Sequence, residues 1–505
     1  PSLARTKGSA MADLILALHQ GTTSTRAVVF DPDGWRPVAT AQIALTQHFP
    51  NPGWVEHDAD EIWRAAVQVC REAVDQAGGS DRIATVGLTN QRETTVLWDR
   101  ASGRPLHRAI VWQDRRTAAV TEALTRAGHE AAVQSATGLV LDPYFSASKI
   151  AWLLDQVPEA RARAEAGELC AGTIDAWLMF RLTGGERHVT DVTNASRTSL
   201  FDLATLDWRE DLLALFAVPR AVLPQTLPSA GRFGVTTPDL FGRAIPITGC
   251  AGDQQAALVG HGALRPGATK ITYGTGAFLV AHTGDQPVAS THRLLSTVGY
   301  QAGKETAYAL EGSIFSAGAT VQWLRDIMGA VTDSRDSEAV AQALPDNGGV
   351  YLVPGFTGLG APFWEAEARG AVFGLTRDAG PAHIVRAGLE AMAYQTRDLL
   401  EALKADGAPP PRRLRVDGGV TANGWVMQFL ADITGCEVER PAYQEMTALG
   451  AARLAALGAG VIDILDQAAS GTPSIWTPTM TEDHRARLLA GWDAAIAGCL
   501  ANARA

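Results

Sequence analysis

One carboxylate, Asp253, closes the apolar and small-residue run Ile247-Thr248-Gly249-Cys250-Ala251-Gly252 and is followed by Gln254-Gln255. Small residues let the backbone pack tightly and present Asp253 ahead of what reads as a helix. A carboxylate there can take a proton from a substrate hydroxyl, the general-base role in phosphoryl transfer. Capping that helix is the plainer use of an Asp, but Gly252-Asp253-Gln254-Gln255 offers more functional groups than a cap requires. Asn90-Gln91-Arg92-Glu93 ends another apolar run. Its adjacent Arg and Glu supply donors and acceptors together, as a polyol needs, with a strand-end ion pair as the alternative.

Phosphate chemistry is suggested by a Gly/Thr break that occurs twice, in LILALHQGTTSTRAVVF (14–30) and KITYGTGAFLVAHTG (270–284). Each is an apolar run, a Gly flanked by Thr, and a second apolar run, the pattern of strand, tight turn, strand. Gly21 and Gly274 let backbone approach a ligand closely, and the neighbouring N–H and O–H donors suit phosphate oxygens. Arg26 adds a guanidinium able to meet a phosphate in bidentate fashion, or serves as a surface Arg after a polar turn. Two such hairpins point to two related domains gripping one polyphosphate. Gly318-Ala319-Thr320-Val321-Gln322 and Val416-Asp417-Gly418-Gly419-Val420-Thr421-Ala422-Asn423 suit backbone lying against a nucleotide, or are tight turns. There is no G-x-x-x-x-G-K-[ST] segment, so an ATP site here needs another architecture.

The elements that must hold these groups alternate along the chain. Asp58 opens a helical pattern, with Glu61 placed for a capping box and Ile62, Ala66, Val69 and Val74 at helical spacing. Strand patterns follow at 83–99, a long helical pattern surrounds 383–403, a strand runs into Asp417, and a small-residue helix starts near Thr447. Such alternation predicts α/β domains with mixed sheets flanked by helices. A 505-residue chain exceeds one core, and the Gly/Pro segment 261–267 predicts a boundary between domains at 11–262 and 263–505. Residues 1–10, ahead of Met11, read as a cloning remnant.

Bulk properties narrow the partners. A formal charge of −11 argues against nucleic acid or an anionic membrane. No apolar stretch reaches a membrane span of about 18 residues. Five scattered cysteines without metal spacing fit a reduced, cytoplasmic protein.

The segments QGTTSTRAVVFD, PGWVEHDADEIW, TNQRETTVLWD, AIVWQDRRT, TGLVLDPYFSASKIAWLLD, TDVTNASRTSLFD, GCAGDQQAALVG, TYGTGAF, FTGLGAPFWEAEARGAVFGLTR, MAYQTRDLLEAL and VDGGVTAN carry a resemblance spanning about Leu14 to Trp492. By these the chain resembles the FGGY carbohydrate kinase family, within the sugar kinase/actin-like ATPase superfamily. PGWVEHD, NQRETT and DPYFS are the pattern of its glycerol-phosphorylating branch. The resemblance implies two RNase H/actin-like domains with the active site in the interdomain cleft. It implies ATP-dependent phosphorylation of glycerol to glycerol 3-phosphate, with Asp253 as general base and Mg²⁺ accompanying ATP. The family's polyol contacts fall on Arg92, Glu93, Trp112, Tyr144, Asp253, Gln254 and Phe278, and its nucleotide contacts on Thr22, Thr23, Ser24, Arg26, Thr275, Gly318, Gln322, Gly419 and Asn423. A homo-oligomer, dimer or tetramer, is implied as well.

One position departs. The family has Asp at its Mg²⁺ site where this chain has His19, and imidazole suits a hard cation poorly. An active kinase is therefore one expectation, and a glycerol- and nucleotide-binding homologue with impaired turnover is the other. A kinase for another polyol is disfavoured by the intact polyol residues, since sites built around specific hydroxyls reject analogues. The loop 231–242 and the segment 476–485 lack the patterns tied in some relatives to sugar-bisphosphate and transport-protein regulation.

Overall fold

The computed structural model describes residues 13–467 and 469–503; the stretch 1–10, read above as a cloning remnant, lies outside the described residues. The described residues divide into two compact units, one of 13–262, 297–307, 446–467 and 469–470, the other of 263–296, 308–445 and 471–503.

The elements that position the site, in chain order, begin with β1 (Leu14–Gln20), β2 (Ser24–Asp31) and β3 (Arg36–Ala44). Then come α1 (Ala59–Gln76), β4 (Ile83–Asn90), α2 (Ser146–Gln156), β5 (Pro246–Gly252) and α3 (Asp253–Gly260). β6 (Thr269–Tyr273) and β7 (Ala277–Gly284) precede α4 (Gly318–Asp326) and α5 (Pro381–Ala405). β8 (Arg413–Asp417) and α6 (Met446–Gly458) complete the set.

Both Gly/Thr segments form the expected hairpins, one in each unit. In the first unit β1 pairs antiparallel with β2, β2 with β3, and β1 runs parallel to β4, which runs parallel to β5. In the second, β6 pairs antiparallel with β7 and β7 with Glu305–Ile314, while β6 runs parallel to β8 and β8 to Glu437–Arg440. The polar ends of the parallel strands carry Asn90, Gly252 and Asp417, the positions where α/β sheets bind ligands.

In the first unit α1 covers one sheet face, burying Ile62, Ala66, Val69 and Val74 with Leu14, Leu16, Leu18, Val86 and Leu88. Asp58 caps α1, accepting from the N–H groups of Asp60 and Glu61. The Glu61 carboxylate does not close a capping box. It accepts instead from the Thr46 N–H at 3.0 Å, because the neighbouring strand's end offers a donor within reach. The opposite face is closed by α6, whose Ala451 and Ala455 lie where a Cβ on Gly87 or Gly249 would stand. α3 and α6 touch through Gly260 and Gly450, so small residues set this packing distance. The second unit's core joins Ile271, Leu279, Met392, Tyr394, Val416, Leu430 and Trp492.

Candidate functional site

Arg92 and Glu93 follow β4, and both are almost wholly buried. Arg92 Nε lies 3.2 Å from Asp253 Oδ1 and 3.9 Å from Glu93 Oε1. Its Nη1 donates to Gln255 Oε1 at 3.3 Å and its Nη2 to the Tyr144 hydroxyl at 3.5 Å. Arg197 Nε donates to Glu93 Oε1 at 2.8 Å. The charges therefore alternate from Arg197 through Glu93 and Arg92 to Asp253. Removing any buried member leaves its neighbour uncompensated, which is costly in a dry interior.

The backbone makes room for this cluster. A Cβ on Gly252 would stand 2.7 Å from Arg92 Cγ and Cδ, so the guanidinium stem crosses β5 only because position 252 is glycine. Glu93 adopts φ of 61°, a left-handed conformation rare for non-glycine residues and typical of functional turns. The Glu93 carbonyl accepts from Thr95 Oγ1 and Ser146 Oγ, each at 3.0 Å, which fixes the turn.

Asp253 is the first residue of α3, and the cap position belongs to Gly252. Asp253 Oδ1 accepts from the Gln254 N–H at 2.7 Å, so the carboxylate meets the helix's positive end. Its side chain stays 24% exposed beside the 2% exposed Arg92. It is the accessible carboxylate of the charge chain.

Trp112 and Tyr144 stand edge to face, with ring centroids 5.6 Å apart. Trp112 Nε1 donates to Thr22 Oγ1 at 2.9 Å, which joins this wall to the first hairpin turn. Gln91 is a hub beneath it. Its Nε2 reaches Gln20 Oε1 at 3.0 Å and His57 Nδ1 at 3.3 Å, and its Oε1 accepts from Thr94 Oγ1 at 2.8 Å. Burial drives the His57 pKa down to about 4, helped by His48, so the ring stays neutral.

In that turn the Gly21 N–H donates to Ser24 O at 2.9 Å, and the Leu45 N–H to Thr23 O at 2.9 Å. Thr23 is exposed, and Thr22 and Ser24 are half-buried. Arg26 donates to Gln42 Oε1 on β3 from Nε at 3.0 Å and Nη2 at 2.6 Å. His19 is half-buried on β1, opposite Arg26 on β2 and Thr89 on β4. Its imidazole does not fit as a direct ligand of Mg²⁺, whereas the hydroxyls of Thr22, Thr23 and Ser24 are oxygen donors.

Among the described residues, Asp175, Asp191 and Cys250 place three ligand-type atoms within 4.8 Å of one another. Hydroxyls and amides already occupy that cluster. Thr173 and Thr190 donate to Asp175, and Thr193, Asn194 and Ser229 donate to Asp191. Burial, then Asp191, raises Asp175 to about 6, and burial keeps the Cys250 thiol protonated. Thr193 Oγ1 also accepts from the Gly252 N–H at 2.9 Å. The cluster thus seats the end of β5 that carries Asp253.

The second unit contains a cavity of about 350 Å³, within the range of ligand pockets. Thr275, Gly318, Gln322, Gly419 and Asn423 all line it. The turn and α4 are stitched together: the N–H groups of Ala317 and Ala319 donate to Thr275 O, and that of Gly318 to Gly274 O, at 2.9–3.0 Å. A Cβ on Gly318 would meet the Gly274 carbonyl oxygen at 2.6 Å. Asn423 Oδ1 accepts from the Val426 N–H at 3.0 Å. Phe278 is half-buried on β7, across from Thr272 and Ser313.

Arg197 and Gln91 stand within segments already singled out, yet their contacts lie about 70 to 100 residues away and spacing could not reveal them. Arg325, Ser334, Arg335 and Glu338 of the cavity wall carried no motif at all. PGWVEHD and the Asp114–Arg116 part of AIVWQDRRT serve as frame. Arg116 stacks 3.7 Å over Trp54 and 4.7 Å over Trp152, and pairs with Glu56 at 2.8 Å and Asp114 at 2.7 Å.

Residues 14–260 match the N-terminal domain of the FGGY family of carbohydrate kinases, and 269–459 its C-terminal domain. A glycerol kinase of Ectopseudomonas mendocina is 56% identical over 485 residues, covering 95% of this chain and 98% of that protein. One from Rhodospirillum rubrum is 56% identical over 487 residues, covering 95% and 98%. The crystal structure of Plasmodium falciparum glycerol kinase with ADP superposes with a TM-score of 0.89 at 36% identity, covering 96% of this chain and 98% of that one.

Proposed function

The chain belongs to the FGGY family of carbohydrate kinases, and on that premise we propose how its residues divide the work of phosphorylating glycerol with ATP. That reaction is the activity of this protein, and glycerol and ATP/ADP are its small-molecule ligands. The alternative of a homologue with impaired turnover finds no support among these relatives.

All of the polyol contacts but Phe278 stand in the first unit. Arg92 donates to the glycerol hydroxyls, Glu93 and Asp253 accept from them, Tyr144 does either, and Trp112 covers the carbon backbone. Gln254 and Phe278 complete the polyol contacts. Asp253 accepts the proton of the terminal hydroxyl as that oxygen attacks the γ-phosphorus, and the bond from phosphorus to the β,γ-bridging oxygen breaks to release ADP. Thr22, Thr23, Ser24 and Arg26 meet phosphate oxygens, while Thr275, Gly318, Gln322, Gly419 and Asn423 hold the nucleotide. A divalent cation bound with ATP, Mg²⁺, would neutralise phosphate charge, with the hydroxyls of Thr22, Thr23 and Ser24 as the oxygen donors near it. Positioning supplies most of the rate.

The observation that carries this reading is the 3.2 Å contact between buried Arg92 and the accessible carboxylate of Asp253. Replacing Asp253 by Asn keeps the shape but removes the proton acceptor, and glycerol-dependent ADP release should fall roughly 10²–10⁴-fold. Near-normal turnover in Asp253→Asn would return the residue to a purely structural role. A cytoplasmic location and assembly into a dimer or tetramer belong to the same proposal, and light scattering on the purified protein tests the assembly. Among the described residues, no helix is long and apolar enough to cross a membrane.

A further inference from the structure

Lys149 sits in the first turn of α2 with none of its surface exposed. Its Nζ donates to three successive carbonyls, Pro143 at 2.7 Å, Tyr144 at 2.5 Å and Phe145 at 3.1 Å. A neutral amine has two N–H donors and an ammonium three, so three acceptors select the charged form. The placement is costly on two counts. A cation near a helix N-terminus opposes the helix dipole, and burial penalises charge. Burial accordingly pulls the Lys149 pKa down to about 7, against the attraction of Glu93, Asp114 and Asp142.

What the arrangement delivers is a fixed loop. Residues 143–145 carry Tyr144, whose hydroxyl meets Arg92 Nη2 and whose ring stands against Trp112. The first residue of the same helix, Ser146, bonds the Glu93 carbonyl. One helix start therefore aims Tyr144 through Lys149 and secures the Glu93 turn through Ser146.

We propose that Lys149 is a positioning residue of the polyol site: its three bonds to the 143–145 carbonyls set the aim of Tyr144, and with it the affinity for glycerol, without touching substrate. This rests on Tyr144 being a polyol contact.

Steady-state kinetics on the full chain test it, varying glycerol at saturating ATP and ATP at saturating glycerol. Lys149→Met should raise the KM for glycerol about tenfold, the effect of losing one charge-assisted contact, and leave the KM for ATP within about twofold. Lys149→Gln, which keeps two donors, should shift the same constant less, and it carries the comparison if the Met variant does not fold. Joined to Tyr144→Phe, the Lys149 substitution should add less than its separate effect, because both act through one side chain. An equal rise in both KM values, or full additivity, would overturn the inference. If Tyr144→Phe alone leaves glycerol KM unchanged, the assignment of Tyr144 falls, and this inference with it. If Tyr144→Phe raises it and neither Lys149 variant does, only the role of Lys149 falls.

Discussion

The indole N–H of Trp112 is hydrogen-bonded to the hydroxyl of Thr22 at 2.9 Å, so a wall of the polyol cluster and the turn of the first Gly/Thr hairpin are one mechanical piece. On the proposed division of labour Thr22 does two jobs, accepting from Trp112 and presenting its remaining hydroxyl capacity to phosphate. Trp112→Phe keeps the apolar cover and deletes the link. Its KM should rise for glycerol and ATP together, by about three- to tenfold each, as expected for one neutral hydrogen bond of roughly 1 kcal/mol. A rise confined to glycerol would mean that the indole serves only as cover.

Arg92→Ala should separate the two ligands. The side chain touches Asp253, Glu93, Tyr144 and Gln255, all of the first unit. Deleting one partner of a buried charge pair costs on the order of 3 kcal/mol, so glycerol affinity should drop about 100-fold or more. Calorimetric titrations with glycerol and with ADP should show the first loss and little of the second. Comparable losses for both would contradict this division.

His19→Asp exchanges an imidazole for the hard oxygen donor that Mg²⁺ prefers. The Mg²⁺ concentration giving half-maximal rate should fall severalfold, and Mn²⁺, which accepts imidazole more readily, should narrow the gap between the two proteins. A metal titration of both decides the point. Identical curves would place His19 at the edge of the site without influence on metal.

Acid should expose two buried histidines. Burial holds His57 near 4 and His188 near 3, below the usual 6.5. Between pH 6.5 and about 4 the unfolded chain binds the protons that the folded rings refuse, so their contribution to stability is lost as pH falls. Asp175 and Asp398 are raised to about 6 by burial and titrate in the opposite sense. The histidine contribution appears in a difference. His188→Phe should flatten acid destabilisation by up to about 1.4 kcal/mol per pH unit across that window. Denaturant melts at pH 7, 6 and 5 measure it, and parallel slopes for parent and variant would refute it.

Much of the fold was legible because it is written in local chemistry. Gly with flanking Thr between β-branched runs marked both hairpins, and Asp58 marked the start of α1. The pairing of Glu61 with Thr46, and of Arg26 with Gln42, is set by which strands become neighbours, and no spacing encodes that. The same holds for the site. Asp253, Arg92 and Glu93 stood out because charge at the end of an apolar run is unusual. Lys149 and Arg197 are equally buried, but each lies in a helix or loop whose partners are decided only when the chain folds. α6 read from its sequence as a small-residue helix. That it packs on the sheet of the first unit follows from the bare glycines at 87 and 249, which have meaning only as a docking surface.

That packing has a consequence for synthesis. As the protein leaves the ribosome, the strands of the first-unit sheet and α1 emerge early, but the helix that covers one sheet face, α6, emerges only after most of the second unit. At about 5–20 residues per second the wait is on the order of ten seconds or more. Throughout it, the surface around Gly87 and Gly249 lacks the helix that packs on it in the folded protein. A nascent chain stalled before Met446 is thus a half-closed first unit with a sticky face, a natural client for chaperones and a poor choice for truncation.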